Sequence, residues 1–565
     1  MSAPSSHRRS RHGCTTCRTA RIKCDEKRPT CDKCTRRRVH CGGYPVELKW
    51  VEASDISPDA QAPARSVVKA RSSIAMGPSA HAREQRAAAA SAAAAAMRGP
   101  AKVPLPRSPS ARGPVRNDVD ALILSHWARQ LPELVYADTA EQSSVRDPYL
   151  AFVYRPDSLL LPATLAAGAS HLYAAGVLKQ ADAFERKQRA LNRVIACVRQ
   201  HRSASAAASP PAVLPFYVSE EAVAASLCLV GLEIMLGSHT DVLQPLIRGA
   251  KAQVDERRRI TRMAKGRLAC PRPTIMLGMN IKMLAWMDTF SCVPCARRPV
   301  LDRKFWTDEV LPLTARNPRG HPDLVFGLST DMFALIGSAA TLVQELLGGT
   351  ATREAFAPAR AALLRDLVQK SRELPRPTFE PYCRDGADAS SSVGALKIRS
   401  KNACIAAARA HSLATQIFLL RADDGEDDTT TTTTTDPLPR PSELAEELLD
   451  AIVKVPIDTH ASTLMLWPVF ALGCESVEGS PWRPFVEAQL RRMFAKERLL
   501  NITVALDALR SRIWKVEGVR RLAGGGEDGR STAAGEHARH SPEGPEGPEG
   551  WVRQCWREKL QLCMA

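Results

Sequence analysis

The sequence predicts a small metal-stabilised module with two short helices, followed by a large all-α domain. Three observations carry that expectation. Six of the 16 cysteines crowd into 28 residues near the N-terminus. From about residue 119 apolar residues recur at helical spacing, and convincing strand alternation is scarce. The 565-residue chain is 44% hydrophobic but only 5% aromatic, enough to bury a large core and poorly suited to a sandwich or barrel.

The first segment, MSAPSSHRRSRHG, has no apolar stretch that could serve as a signal peptide, which predicts an intracellular chain. The longest stretch without Asp, Glu, Lys or Arg runs from Ser158 to Leu178. Its Pro162, His171, glycines and alanines mark a buried core helix pair rather than a membrane span. Charge is uneven along the chain: residues 1–50 carry a net +9, residues 51–118 a net +5 and the remainder only +4. That distribution suits a polyanion-binding head on a nearly neutral body.

The cysteines run Cys14-x2-Cys17-x6-Cys24-x6-Cys31-x2-Cys34-x6-Cys41. In a reducing compartment such a cluster is a metal site before it is a disulfide framework. Soft thiolates without a carboxylate-rich shell favour zinc over magnesium or calcium. Structural zinc takes four ligands, so six thiols serve one ion with two spare, or two ions if two thiolates bridge. An internal repeat supports the second case: Cys14–Cys24 (CTTCRTARIKC) recurs 17 residues later as Cys31–Cys41 (CDKCTRRRVHC). The bridging thiolates are then most simply the first of each half, Cys14 and Cys31. Pro29, in the connection, fixes φ where the chain must turn back.

This spacing, with RIKCDEKRPTC inside it, resembles the fungal-type zinc binuclear cluster, the Zn(2)-C6 transcription-factor domain. The resemblance implies two structural zincs, one held by Cys14, Cys17, Cys24 and Cys31 and the other by Cys14, Cys31, Cys34 and Cys41. It also implies that Cys17–Cys24 is the DNA-reading helix and that CGG-type half-sites are its targets. Arg18 and Arg21 lie three apart on one face, and Ile22 is expected to pack against the metal core. Arg21 is assigned to base reading, because an arginine can bond guanine O6 and N7 bidentately. Arg18 and Lys23 are assigned chiefly to phosphates. Position 20 is Ala where the family often has a second basic residue, which leaves the half-site open. Arg36, Arg37 and Arg38 form a basic run that suits a phosphate clamp or a nuclear-import signal.

Residues 1–45 are thus read as the DNA-binding domain, and 46–118 as a disordered linker rich in Pro, Ala and basic residues. No leucine heptad is evident before residue 118, so monomeric binding and a homodimer through the helical domain both stay open. Helical faces follow in Val119–Leu131, Leu159–Leu178, Glu220–Leu236, Thr274–Phe290, Asp323–Leu346, Arg353–Leu374 and Ala395–Leu420. They continue in Pro441–Val455, Ala461–Cys474, Trp482–Leu500 and Ile502–Val516. LSHWARQLPELVY at one end, with LMLWPVFALGCES and NITVALDALRSRIW at the other, resembles the fungal-specific transcription factor domain. That implies a regulatory domain over 119–520, responsive to a small-molecule effector in some relatives.

Residues 423–436, DDGEDDTTTTTTTD, read as a flexible acidic and threonine insertion, and 521–550 as a disordered tail. The final 551–565 reads as an amphipathic helix with Val552, Trp556, Leu560 and Cys563 on one face. It either docks on the body or binds a coactivator. Cys292-Val-Pro-Cys295 has no companion ligands and reads as a reduced structural pair; His171, His411 and His460 read as ordinary core or surface histidines. No nucleophile motif, phosphate-cradling glycine loop or paired-carboxylate signature stands out, so the chain is not read as an enzyme.

The expected function is that of a nuclear, zinc-dependent, sequence-specific regulator of RNA polymerase II transcription, with double-stranded DNA and the transcription machinery as partners and no membrane. The resemblance implies pathway-specific targets, such as secondary-metabolite or stress and drug-resistance genes. The alternative is a zinc-stabilised protein-interaction adaptor that touches DNA only nonspecifically.

Overall fold

The computed structural model describes residues 14, 16–17, 20, 22–26, 31–37, 39, 41, 115, 117–135, 142–155, 157–204, 214–263, 274–314, 323, 325–377, 392–423, 439–515 and 550–564. The linker reading of 46–118 and the tail reading of 521–550 fall almost wholly outside them, as does the 423–436 insertion apart from Asp423. The chain separates into two units, Met1–Arg98 and Gly99–Ala565.

Among its described residues, the first unit has almost no hydrocarbon core. Its buried centre is Cys14, Cys17, Cys24, Cys31 and Cys34, with Ile22 and Cys41 packed against it. Among its described residues, helix α1 spans Asp32–Arg36.

The second unit is helical, and its described residues contain one isolated β-bridge, Asp323 with Gly327. It begins with α2 (Asp118–Val135), α3 (Gln142–Val153), α4 (Leu160–Ala174) and α5 (Gln180–Ala204). Helices α6 (Glu220–Met235), α7 (Thr240–Met263) and α8 (Ile275–Cys292) follow, then α9 from Arg303–Phe305 through a π-turn at Trp306–Val310. The second half holds α10 (Thr330–Leu347), α11 (Arg353–Arg372), α12 (Ser392–Arg421), α13 (Pro441–Val453) and α14 (Leu466–Cys474). It ends with α15 (Trp482–Glu497), α16 (Leu500–Ala508) and α17 (Trp551–Arg557).

Helices α4, α6, α8 and α14 are buried on nearly every side, as expected for helices that are apolar all round. Helix α4 packs against α2, α5 and α6, and α8 against α6, α7 and α10. Helix α12 lies among α10, α11, α13 and α14. By length and composition, Ile398–Arg421 within it could cross a bilayer, but 89% of its most apolar window is buried inside the unit. The stretch 158–178 is one core helix rather than a pair. Gly176 (φ 78°) lets the chain turn while Val177 N–H bonds back to Leu172 O at 2.8 Å.

Two buried carboxylates organise the loops beside α8. Asp288 accepts from Val300 N (3.1 Å) and Leu301 N (2.6 Å). Asp323 accepts from Val325 N (2.9 Å) and Phe326 N (3.2 Å) and pairs with Lys282. Each satisfies amides that would be costly to bury bare.

The C-terminal segment docks. Trp551 is fully buried against Phe418 and Trp467, and its Nε1–H donates to Glu475 Oε1 at 2.7 Å. Beyond α17 the extended end is tied down by Leu562 N to Cys295 Sγ (3.2 Å) and Met564 N to Phe290 O (2.9 Å). The anchoring face departs from the expected one. Of the expected residues Val552 and Cys563 are buried but Trp556 and Leu560 only partly so, while Trp551 and Cys555 are buried in addition, because the helix stops at Arg557 and Lys559 turns with φ 49°.

Cys292 and Cys295 are buried and reduced, joined by a 3-10 turn. His171 is held between His126 and Glu497 O, both at 2.8 Å, and His411 Nδ1 lies 2.7 Å from Ala407 O.

Candidate functional site

The cysteine segment repeats one hydrogen-bond pattern. The thiol opening each half accepts the backbone N–H three residues on, Cys17 N to Cys14 Sγ and Cys34 N to Cys31 Sγ, both at 3.3 Å. The thiol closing each half accepts from its opener: Cys14 N to Cys24 Sγ at 3.4 Å and Cys31 N to Cys41 Sγ at 3.5 Å. Ile22 N bonds Cys17 O at 3.0 Å, and Val39 N bonds Cys34 O at 3.1 Å. The 17-residue repeat in sequence is therefore also a repeat in backbone geometry.

Those last two bonds join residues five apart and end a helix. Ile22, Lys23 and Cys24 are consequently non-helical, which corrects the reading of Cys17–Cys24 as one continuous helix. The chain must leave the helix for the Cys24 thiol to swing back to the cluster. Ile22 packs against the cysteines as expected, while its counterpart Val39 is 40% exposed.

The sulfurs form two quartets. Those of Cys14, Cys17, Cys24 and Cys31 all lie within 4.8 Å of one another, and so do those of Cys14, Cys31, Cys34 and Cys41. Cys14 and Cys31 belong to both. Cys14 Sγ is 3.7 Å from both Cys31 Sγ and Cys34 Sγ, and Cys17 Sγ is 3.7 Å from Cys31 Sγ. A tetrahedron with ~2.3 Å zinc–sulfur bonds has edges of ~3.8 Å, so the donor set fits the metal. Cys17 and Cys34, which share neither quartet, also approach to 3.8 Å.

Burial pushes the Cys17 and Cys34 thiols up to about 12 and raises Cys14 as well. Packed thiols of this kind ionise when a cation offsets their charge, so binding a metal releases protons. The N–H donors to Cys14, Cys24, Cys31 and Cys41 point at the atoms that would carry that charge.

One functional residue escaped sequence reasoning. Asp25 accepts from Asp32 N at 2.9 Å and Lys33 N at 3.1 Å, the first two amides of α1. With Cys31 Sγ accepting from Cys34 N and Cys31 O accepting from Thr35 N, the first four amides of α1 all have partners. The carboxyl sits below its usual range, chiefly through the Asp32 amide. The signal was hard to see because the capping acid lies in the connection between the two halves, six residues before the N-cap.

Lys23, Arg36 and Arg37 are exposed, and Arg36 Nε reaches Asp32 O at 3.5 Å. Arg18, Arg21 and Arg38 lie outside the described residues.

Residues 123–558 match the model of the fungal specific transcription factor domain. The chain belongs to that family. Residues 12–51 match the fungal Zn(2)-Cys(6) binuclear cluster domain, a zinc- and DNA-binding module. A member with both domains falls among transcription regulators, not enzymes. Curated relatives match over short stretches. Sterol uptake control protein 2 of Candida albicans is 53% identical over 36 residues, 6% of this chain and 5% of the relative. White-opaque regulator 2 of the same fungus is 60% identical over 37 residues, 6% and 8%. Transcriptional regulatory protein moc3 of Schizosaccharomyces pombe is 46% identical over 52 residues, 9% and 10%. The chain thus spans a tenth or less of the length of these relatives. No solved structure matches this family member.

Proposed function

We propose that this chain is a nuclear, sequence-specific regulator of RNA polymerase II transcription whose DNA-binding head is held by two structural zincs. The observation that carries the reading is the pair of sulfur quartets sharing Cys14 and Cys31, set in a segment of net +9. Each zinc would have four thiolates, with no open position for activating water, so the metal's part is structural. Six thiolates and two Zn²⁺ sum to −2, which leaves the head with about +7 for phosphates. Arg21 reads a base of a CGG-like half-site, while Arg18, Lys23, Arg36, Arg37 and Arg38 hold the backbone. Lys23 lies just past the end of the first helix, in keeping with a phosphate contact. The matched relatives include one named for arginine metabolism and one for a pestheic acid cluster, which supports pathway-specific targets here.

Selection of binding sites from random duplex DNA, with zinc and with chelator, tests this. Zinc-dependent enrichment of a CGG-like element is the expected result. Salt-sensitive binding without enrichment, by residues 1–118 and by the full chain, would establish the adaptor instead. Cys14→Ala should lose both metals together; one intact site would refute the bridging role. Arg21→Ala should relax preference at one base position by about 1–3 kcal/mol, whereas uniform weakening would make Arg21 a phosphate contact.

A further inference from the structure

The two quartets do not account for the approach of Cys17 and Cys34. In two zinc tetrahedra sharing the edge Cys14–Cys31, outer thiolates on different ions stand at least ~5 Å apart at ~2.3 Å per bond. Cys17 Sγ and Cys34 Sγ are only 3.8 Å apart. They close a third four-thiol set, Cys14, Cys17, Cys31 and Cys34. Within it the Cys14–Cys31, Cys14–Cys34 and Cys17–Cys31 sulfurs are each separated by 3.7 Å. These spacings match the ~3.8 Å edge of a single zinc tetrahedron. The remaining two pairs, Cys14–Cys17 and Cys31–Cys34, lie within 4.8 Å.

Burial sorts the six thiols in the same way. Cys14, Cys17, Cys31 and Cys34 are fully buried, whereas Cys24 is 5% exposed and Cys41 is half-buried. Backbone amides keep these two closing thiols in place beside the set. Cys24 Sγ accepts from Cys14 N and Glu26 N, both at 3.4 Å, and Cys41 Sγ accepts from Cys31 N at 3.5 Å.

We propose that Cys14, Cys17, Cys31 and Cys34 form a central four-thiolate site that takes the first zinc ion, and that Cys24 and Cys41 become ligands only with the second. The inference rests on the two-zinc reading above and adds an order to it. The central set uses both thiols of each Cys-x2-Cys loop, so one ion already joins the two halves of the repeat. Passing to two ions requires that Cys17 and Cys34 part by more than ~1 Å and that the two closing thiols turn in. Cys24 directly follows Lys23, so the second ion ties down the end of the segment proposed to read DNA.

The test is cysteine protection in the full chain, with helical content checked by circular dichroism. Metal-free chain receives one equivalent of zinc and a brief pulse of an alkylating reagent, and mass spectrometry counts and maps the labels among the six thiols. Chains labelled at Cys24 and Cys41 alone are the expected product. Label at Cys34 and Cys41 would put the first ion in the first quartet, and label at Cys17 and Cys24 in the second; either overturns the proposal. All-or-none labelling, the mark of two ions that bind together, would overturn it as well. A second equivalent should protect all six. Label that persists on Cys24 and Cys41 in excess zinc would refute the two-zinc reading and leave the central site standing. Cobalt in place of zinc gives a spectroscopic check. The double variant Cys24→Ser, Cys41→Ser should bind one cobalt with a four-thiolate spectrum and an affinity within about threefold of the wild type's first ion. Cys17→Ser with Cys34→Ser should weaken that ion about a hundredfold or more, since losing ligands costs at least as much as losing the groups that orient them. A three-thiolate spectrum from the first double variant would overturn the proposal.

Discussion

At the scale of single residues, burial decides which charges the body tolerates. Glu497 is 1% exposed, its Oε1 has no hydrogen-bond partner, and desolvation pushes its carboxyl up to about 8. The folded chain therefore holds a proton that the unfolded chain releases near its ordinary value, and stability falls as pH climbs between the two. The histidine pair beside it works in the opposite sense. His171 Nε2 can bond Glu497 O only as a donor, so its Nδ1 accepts from His126 Nε2–H. Burial, the His171 ring and Arg129 lower His126 to about 4, so its neutral form is favoured and stability falls as pH drops from the ordinary histidine value. Glu497→Gln should therefore raise stability over wild type by on the order of 3 kcal/mol more at pH 8 than at pH 5. Urea unfolding at the two pH values measures it, and a pH-independent difference would show that the carboxyl stays ionised. Asp25 acts on a different level, by satisfying, from the connection, amides in the second half of the cysteine repeat. Asp25→Ala should lower zinc affinity about tenfold in chelator competition, and unchanged affinity would mean that α1 holds its start without the carboxylate.

At the scale of elements, two glycines inside core helices separate packing from propensity. A Cβ on Gly168 of α4 would sit 2.8 Å from Ile123 Cγ2 and 3.1 Å from Ile123 O, so α2 would have to move. One on Gly231 of α6 would meet only the flexible Met287 Cε, at 3.3 Å. Gly168→Ala is expected to destabilise by about 1–3 kcal/mol despite the better helix former. Gly231→Ala should be neutral or stabilising by up to ~1 kcal/mol, and equal effects in thermal unfolding would refute the distinction. Element by element, the helices that the sequence showed most plainly are those with wide apolar faces, such as α6, α8 and α14. Helices α5 and α7 were not anticipated. Each buries only a narrow stripe, Ala183, Ala190, Val194 and Cys197 in one and Leu243, Ile247, Ala250 and Val254 in the other. Charged residues fill the rest of both, so the average over a window hides the stripe. The apolar spacing of the C-terminal segment left docking open against coactivator binding and did not give the anchoring face. That face depends on where α17 stops, and the left-handed turn at Lys559 leaves no mark in apolar spacing.

At the scale of the whole molecule, the two units are stabilised by different physics. The helical unit buries an extended hydrocarbon core, while the head buries sulfur. The head was the more legible of the two, because metal coordination fixes ligand identity and spacing along the chain, whereas a helical core accepts many apolar sequences. The 17-residue repeat pairs the halves and points most simply to Cys14 and Cys31, whose sulfurs lie in both quartets. Metal removal should accordingly act on one unit alone. Zinc binding supplies folding free energy on the order of 10 kcal/mol or more to small cysteine modules, and the described residues of the head bury sulfur rather than a hydrocarbon core that could replace it. Among the described residues, the head contributes little beyond the short α1 to the helical content. A chelator should therefore abolish binding to the selected DNA while leaving the helical circular dichroism and the thermal transition of the body almost unchanged, and added zinc should restore binding. A large loss of helical signal would instead show that the body depends on the metal, and would remove the ground for treating the head as an independently folded reader.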